Sequence, residues 1–502
     1  MARQSRRYDI GGYFNQLRDS QIDSTQAINM YASVDPVTQK KTIVPASGHS
    51  IDGGAVITAS NVHRASFVRE DLGFAYIVVG DEVIQIDKFL AETVLGTIGT
   101  TQGYVGIDAN QHEICFVDGT GAWRWDTDTS TFAQIFFGGS VSTFPQAGPG
   151  ENFFPIDITN INGYLLAVDI GTSSIKWRIS QLDNARDWAT LDFVNFLSPG
   201  DRLAGIRAHH KRAFIFGNVT TQVWYNGVGL SDFPFLEDTS ILPEHGLAAV
   251  GSLKESFEVM FYISRDKSGV SGVQMVVGTL PVKISTPAID LALQRLTNVE
   301  EGQAILYKEN GLVFYQISFT TDEKTFVYVF PDTIPRPRGT WHQLSTLDGL
   351  RHVAATQFFF DNKNFIGSYL DTKLYELSFE ITSYDGDLIR MVLIGPNLQT
   401  ELHKRIRIDR FEVEMVTGLL PTPVVDPADE PNLLISFSRD GGKTFGNITR
   451  HSVGNTAEFQ NRVMRRNLGV LRGRVLIPKL EFPFKIPLYI TGIILTYEDL
   501  SE

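Results

Sequence analysis

The chain has 502 residues, 43% hydrophobic and 20% charged, with a net charge of −13 and a pI near 5.3. That length exceeds the roughly 250–300 residues at which single cores divide, and so acidic a chain lacks the positive footprint that grips nucleic acid phosphates. A single cysteine, Cys115, excludes an internal disulfide framework and a thiolate metal cluster, and no apolar run reaches the roughly 18 residues of a membrane helix.

Residues 1–60 are polar and turn-rich. They read as an irregular N-terminal arm or cap with short extended pieces at 27–32 and 41–46. The basic start, Met1-Ala-Arg-Gln-Ser-Arg-Arg7, leads into no apolar secretory segment. Together with the lone cysteine, this predicts assembly in a reducing cytoplasm and no stable membrane insertion.

Across 61–384 one unit recurs: an apolar strand, a Gly/Asp/Asn turn and a second apolar strand. The turns fall near Gly80, Gly119, Gly171, Asn218, Ser268, Asp322 and Asp371. A spacing of roughly 40–55 residues filled by strands predicts a β-propeller, with six or seven blades depending on whether one hairpin lies outside the ring. Phe74-Ala-Tyr-Ile-Val-Val79 and Val83-Ile-Gln-Ile86 typify the strands, rich in β-branched and aromatic residues and bounded by turn formers. Trp125, Trp177 and Trp224 recur on second strands and predict a repeated packing position between blades. Cys115, inside an apolar run, is expected as a buried strand thiol. A Gly/Pro-rich loop interrupts the pattern at 138–155. One amphipathic helix is predicted, with Thr286 as N-cap, Pro287 first, and Ile289, Leu293 and Leu296 on one face.

From about residue 385 the rhythm changes. Strand-like segments at 405–416, 433–438, 475–477 and 488–497, with a Pro-rich loop at 417–432, predict a C-terminal β-sandwich over 385–502. The fold class is therefore all-β: arm, propeller, sandwich.

Little in the chain points to chemistry, and no catalytic residue, cofactor or metal site is assigned. Asp126 and Asp128 mimic a calcium loop but lack its glycine and distal glutamate, so they read as solvated turn residues; Glu300-Glu301 and Asp322-Glu323 read likewise. His209 and His210 are adjacent, and on a regular strand would point to opposite faces. Ser438-Arg-Asp-Gly-Gly-Lys-Thr-Phe445 is similar to the Asp-box of sialidase-type propellers. In it Ser438 and Asp440 are expected to bond the turn backbone, Gly442 to take positive φ, Thr444 to complete the turn and Phe445 to pack beneath. Such a box is a folding device. It occurs once, which disfavours the alternative of a glycan-binding or glycan-degrading propeller. Arg450, Arg462, Arg465, Arg466, Arg472 and Arg474 crowd one stretch of an acidic chain. Arginine suits bidentate contacts to carboxylates, so this cluster is the candidate subunit or partner interface.

Several segments, in order, carry a family resemblance. They are Ile28-Asn-Met-Tyr31, Pro45-Ala-Ser-Gly48, Phe214-Ile-Phe-Gly217 leading to Gln222-Val-Trp224, and Glu244-His-Gly246. Lys283-Ile-Ser-Thr-Pro-Ala-Ile289, Thr340-Trp-His342, the Asp-box and Arg465-Arg-Asn-Leu-Gly469 follow. The chain resembles the packaged-DNA stabilisation proteins of short-tailed bacteriophages, the tail hub or nozzle below the portal. The resemblance implies a non-enzymatic virion protein of the tail: a β-propeller with accessory β-domains, assembled as a homohexameric ring. Its implied partners are the portal adaptor, tailspikes or tail fibres, and a tail needle or plug. Double-stranded DNA passes through the lumen without sequence-specific binding.

Overall fold

A computed structural model of the chain describes residues 3–16, 24–35, 38, 40–135, 154–169, 175–188, 192–196, 200–227, 233–241, 243–332, 339–398, 405–419, 430–472 and 476–500. Among these, seven sheets built on four antiparallel strands form a ring of seven blades. Blade 1 runs His63–Arg69, Phe74–Val79, Glu82–Ile86, Glu92–Thr97 from inside to outside. The innermost strands of blades 2 to 7 are Gly106–Ala109, Pro155–Ile161, Leu203–His209, Lys254–Ser256, Gln303–Glu309 and Ala354–Phe360. Each turn singled out in the sequence joins the second and third strands of a blade, although Gly171 itself lies outside the described residues. The blade number is thereby seven.

The blades form because their middle strands are apolar on both faces. In Phe74–Val79, Ala75, Ile77 and Val79 pack against Phe358 and Phe365 of blade 7, while Tyr76 and Val78 pack against Ile114 and Phe116 of blade 2. Alternation sends successive side chains to opposite neighbours, so a strand buried between two blades reads as an unbroken apolar run. The same division recurs around the ring, giving one hydrophobic cluster between each adjacent pair of blades. Trp177 and Trp224 meet edge-to-face at 5.2 Å between blades 3 and 4, and Trp125 packs between blades 1 and 2. Cys115 is fully buried, and burial pushes its thiol up. The helix Pro287–Gln294 is capped by Thr286 and buries Ile289 and Leu293 between blades 5 and 6.

Four innermost strands open on a register shift: His63/Ala65, Pro155/Asp157, Leu203/Gly205 and Ala354/Thr356. An extra residue there tightens local twist and re-aims a side chain, as strands converging on an axis require.

The described residues among the first sixty contribute five strands, more than the two extended pieces expected. Gly48–Val56 is the outer strand of blade 7, so the start of the chain closes the ring on its end. Gln26–Ile28 lies parallel to Thr340–Leu344, the outer strand of blade 6, and antiparallel to Met391–Ile394. It joins the blade to one sheet of the sandwich as a continuous nine-stranded sheet that ends at Ile477–Phe482, Asn432–Ser438 and Thr449–Ser452. The facing sheet holds Arg405–Met415, Val463–Arg472 and Ile490–Asp499 together with Gln4–Tyr8, Met30–Val34 and Lys41–Pro45. The sandwich core centres on Phe411, Leu433, Ile435, Phe482 and Ile490.

Asn29 sits at the joint, 1% exposed, with φ of +56°. Its side-chain amide donates to the carbonyls of Ser345 (2.8 Å) and Arg390 (2.9 Å), and its oxygen accepts from Ser345 N (2.9 Å) and Tyr384 OH (3.2 Å). Asparagine tolerates the left-handed region better than other side chains, and here one side chain makes four hydrogen bonds across the joint.

Candidate functional site

Two places concentrate charge. The first is the propeller axis, where the seven innermost strands enclose a cavity of about 380 Å3. Asp157, just past the bulge of blade 3, is fully buried. It accepts from Tyr104 OH (3.0 Å), Arg207 Nη2 (3.1 Å), Ile206 N (3.0 Å) and Ile158 N (3.1 Å). Asp108 accepts from Asn160 N (2.7 Å), Thr159 Oγ1 (3.2 Å) and Ala109 N (2.8 Å). Burial raises both carboxyls, and Arg207 opposes that rise. Arg64 spends all five donors on Gly80, Thr100, Gln102 and Gly103, so it is a strut of blade 1. Lys254 also lines the cavity, and burial followed by the neighbouring Arg207 lowers its ammonium to about 8.

None of these channel residues was singled out in the sequence. Each lies on a short innermost strand with no motif around it, Lys254 on the wholly polar Lys254–Ser256, and the signal lies only in recurrence. Asp108, Asp157, Arg207 and Lys254 follow one another at intervals of roughly 50 residues, the blade period.

The second place is the outer face of the sandwich sheet that carries Arg405–Met415. There Arg3 pairs with Asp409 (3.1 Å), Arg7 with Glu414 (2.9 Å), Arg407 with Glu498 (2.6 Å) and Arg462 with Glu412 (2.5 Å). The arginines crowded in the sequence are divided between the two sheets. Arg450 is exposed on Thr449–Ser452 of the nine-stranded sheet, whereas Arg462, Arg465 and Arg466 lie at or in the edge strand Val463–Arg472 of the other. Arg465 stands opposite Phe411 and, after burial, is the second cause lowering the imidazole of His451 on the facing sheet. Arg450, Arg465 and Arg466 form no ion pair among the described residues. Arg472 ends the strand; Arg474 lies outside the described residues, as do most of the loops at 138–155 and 417–432.

The Asp-box segment forms a closed turn. Ser438 Oγ donates to Asp440 Oδ1 (2.7 Å) and accepts from Gly442 N (2.8 Å). Asp440 accepts from Lys443 N (3.0 Å), Thr444 N (2.9 Å) and Thr444 Oγ1 (2.5 Å), with the Thr444 hydroxyl foremost in holding its carboxyl well below the usual range. Gly441 and Gly442 take φ of +80° and +86°, and Lys479 Nζ lies 5.4 Å from the Phe445 ring centre.

Two side readings change. Asp126 is buried, not solvated: its carboxylate pairs with Arg124 and Arg186 and caps the turn through Asp128 N and Thr129 N. His210 leaves the strand for a turn at φ of +47°, so its ring meets His209 edge-to-face at 4.2 Å instead of pointing away. Among the described residues, no group of three or more His, Cys, Asp or Glu side chains is placed to hold a metal, and no helix is long and apolar enough to cross a membrane.

A closed seven-bladed ring continuous with a charge-covered sandwich defines the chain as a propeller–sandwich protein. It belongs to the bacteriophage P22 Gp10 family: the family's β-propeller model matches residues 20–382 and its β-sandwich model matches 391–477. This is the tail hub and DNA-stabilisation protein family of podoviruses, so the chain is a structural protein of the virion tail and assembles there with other phage proteins. No curated protein matches it. Among solved structures it is similar to virginiamycin B lyase from Staphylococcus aureus, determined in an inactive form with quinupristin. That match has 11% identity and a TM-score of 0.42, over 65% of this chain and 98% of that one. It is also similar to the RRP9 WD40 repeats (8%, TM-score 0.40, 66% and 99%). A third match is the extracellular domain of a hybrid two-component system from B. thetaiotaomicron (9%, TM-score 0.41, 87% and 58%).

Proposed function

We propose that the chain is the hub or nozzle subunit of a short phage tail, assembled in the host cytoplasm as a ring of six below the portal adaptor. The ring closes the channel to retain packaged DNA, anchors tailspikes or fibres, meets a needle or plug at its tip, and conducts DNA at ejection. The family match across both propeller and sandwich carries this reading. Two physical features support it. Gln26–Ile28 ties the outer strand of blade 6 to the sandwich sheet, which suits a wall under load. Six copies carry six times −13, or −78, and a lumen faced by acidic residues repels passing DNA instead of binding it.

Arg450, Arg465 and Arg466, without an ion pair among the described residues, serve in this proposal as contacts to carboxylates of a neighbouring subunit or the adaptor. The deciding experiment is mass photometry of the purified chain, alone and with a portal–adaptor complex. A ring-sized mass in either condition is expected; a monomer in both overturns the proposal.

A further inference from the structure

The propeller cavity is unevenly satisfied. Two of its acids are saturated: Asp157 and Asp108 each receive several hydrogen bonds from side chains and backbone, while Glu255, about a third exposed, faces His209 Nδ1 at 3.3 Å. Two of its cations are not. Lys254, half-buried on the innermost strand of blade 5, forms no side-chain hydrogen bond or ion pair among the described residues. Arg207 uses only Nη2, on Asp157 and Tyr104, and its buried Nε finds no acceptor. The contrast with Arg64, whose five donors are all used in the same channel, shows that this fold can satisfy a channel arginine when the role is structural. An ammonium partly withdrawn from water without a protein acceptor is costly, and here Arg207 stands near enough to disfavour its charge further.

We propose that the Lys254–Arg207 side of the propeller cavity is a binding site for a small oxyanion of phosphate type. What the site lacks is acceptor oxygens carrying negative charge. An oxyanion supplies them to a point-charge ammonium and to a planar guanidinium at once. The cavity holds such an ion with water to spare.

The test is calorimetric titration of the full-length protein with inorganic phosphate, at ionic strength held constant with sodium chloride. One site per chain is expected. Lys254→Met, which keeps the aliphatic stem and removes the charge, weakens binding about tenfold or more, the scale of one charge-assisted hydrogen bond; Lys254→Arg retains it. Wild-type melting temperature provides a second readout that needs no variant. It rises with phosphate and not with chloride at equal ionic strength, as linkage to a folded-state site requires. Absence of a phosphate-specific melting shift overturns the proposal, as does undiminished phosphate binding in folded Lys254→Met.

Discussion

The propeller and the sandwich handle charge and chain connectivity in opposite ways. Each blade is wound from consecutive strands, with the outer strand of blade 7 the one supplied from afar, and the propeller hides carboxylates inside, Asp157 at the axis and Glu113 and Asp126 paired with arginines. The sandwich is gathered from both chain ends. Gln4–Tyr8 lies beside Ile490–Asp499, and Lys41–Pro45 touches the same strand at Ile43. It wears its ion pairs outside, where water screens them and each contributes little. The propeller is therefore stabilised by what it hides, and the sandwich by what its two ends bring together.

Acid should break this symmetry most strongly. His63, His49 and His342 belong to blades 1, 7 and 6. Burial holds them at about 4, about 4 and about 3, and places His352 well below its usual value. These imidazoles are neutral when folded, while the unfolded chain takes up protons below about 6.5. Their contribution is thus fully present above pH 6.5 and is lost as pH falls toward 4. At pH 5 the penalty is about 2 kcal/mol for each of the three with values. All six tryptophans, Trp123 to Trp341, lie in the propeller, so tryptophan fluorescence in urea reports this domain. Its midpoint should drop sharply between pH 7 and pH 5; an unchanged midpoint would mean these histidines are not buried neutral.

Next in size is the joint. Asn29→Ala removes four hydrogen bonds at a buried left-handed position and should cost about 3 kcal/mol. Because Gln26–Ile28 belongs to the sheet of both domains, circular dichroism and tryptophan fluorescence should fall together in urea in the wild type. A sandwich that unfolds separately from the propeller in the wild type would break the argument for a rigid wall.

The same contrast explains what the sequence let a reader see. Middle strands such as Phe74–Val79 are legible because burial on both faces writes an unbroken apolar run between turn residues. Outer strands such as Phe193–Asn195 are short and half-exposed and leave no such mark. Gln26–Ile28 is three residues long and takes its meaning from partners more than 300 residues away, which no local pattern encodes. The arginines of Val463–Arg472 stand out in the sequence as a candidate interface, but the bounds of the strand do not, because charge at an edge, where it discourages further pairing, interrupts the apolar alternation that marks a strand. The axial charges stayed hidden because Asp108, Asp157, Arg207 and Lys254 come from four different blades.

That edge strand gives the smallest effect on stability and the sharpest on assembly. Arg466 is exposed and Arg465 half-buried at the rim, and neither forms an ion pair among the described residues. Replacing both, Arg465→Glu with Arg466→Glu, should shift the urea midpoint by the equivalent of no more than about 1 kcal/mol, the range of exposed charges. If the strand meets a carboxylate-bearing neighbour, reversal sets like charges against each other across that contact, a penalty of several kcal/mol, and the ring-sized species in mass photometry should disappear. Arg462→Glu serves as the internal comparison, since it breaks an intramolecular pair with Glu412 and should lower stability more than assembly. Normal rings from the double variant would return these arginines to the role of an edge guard.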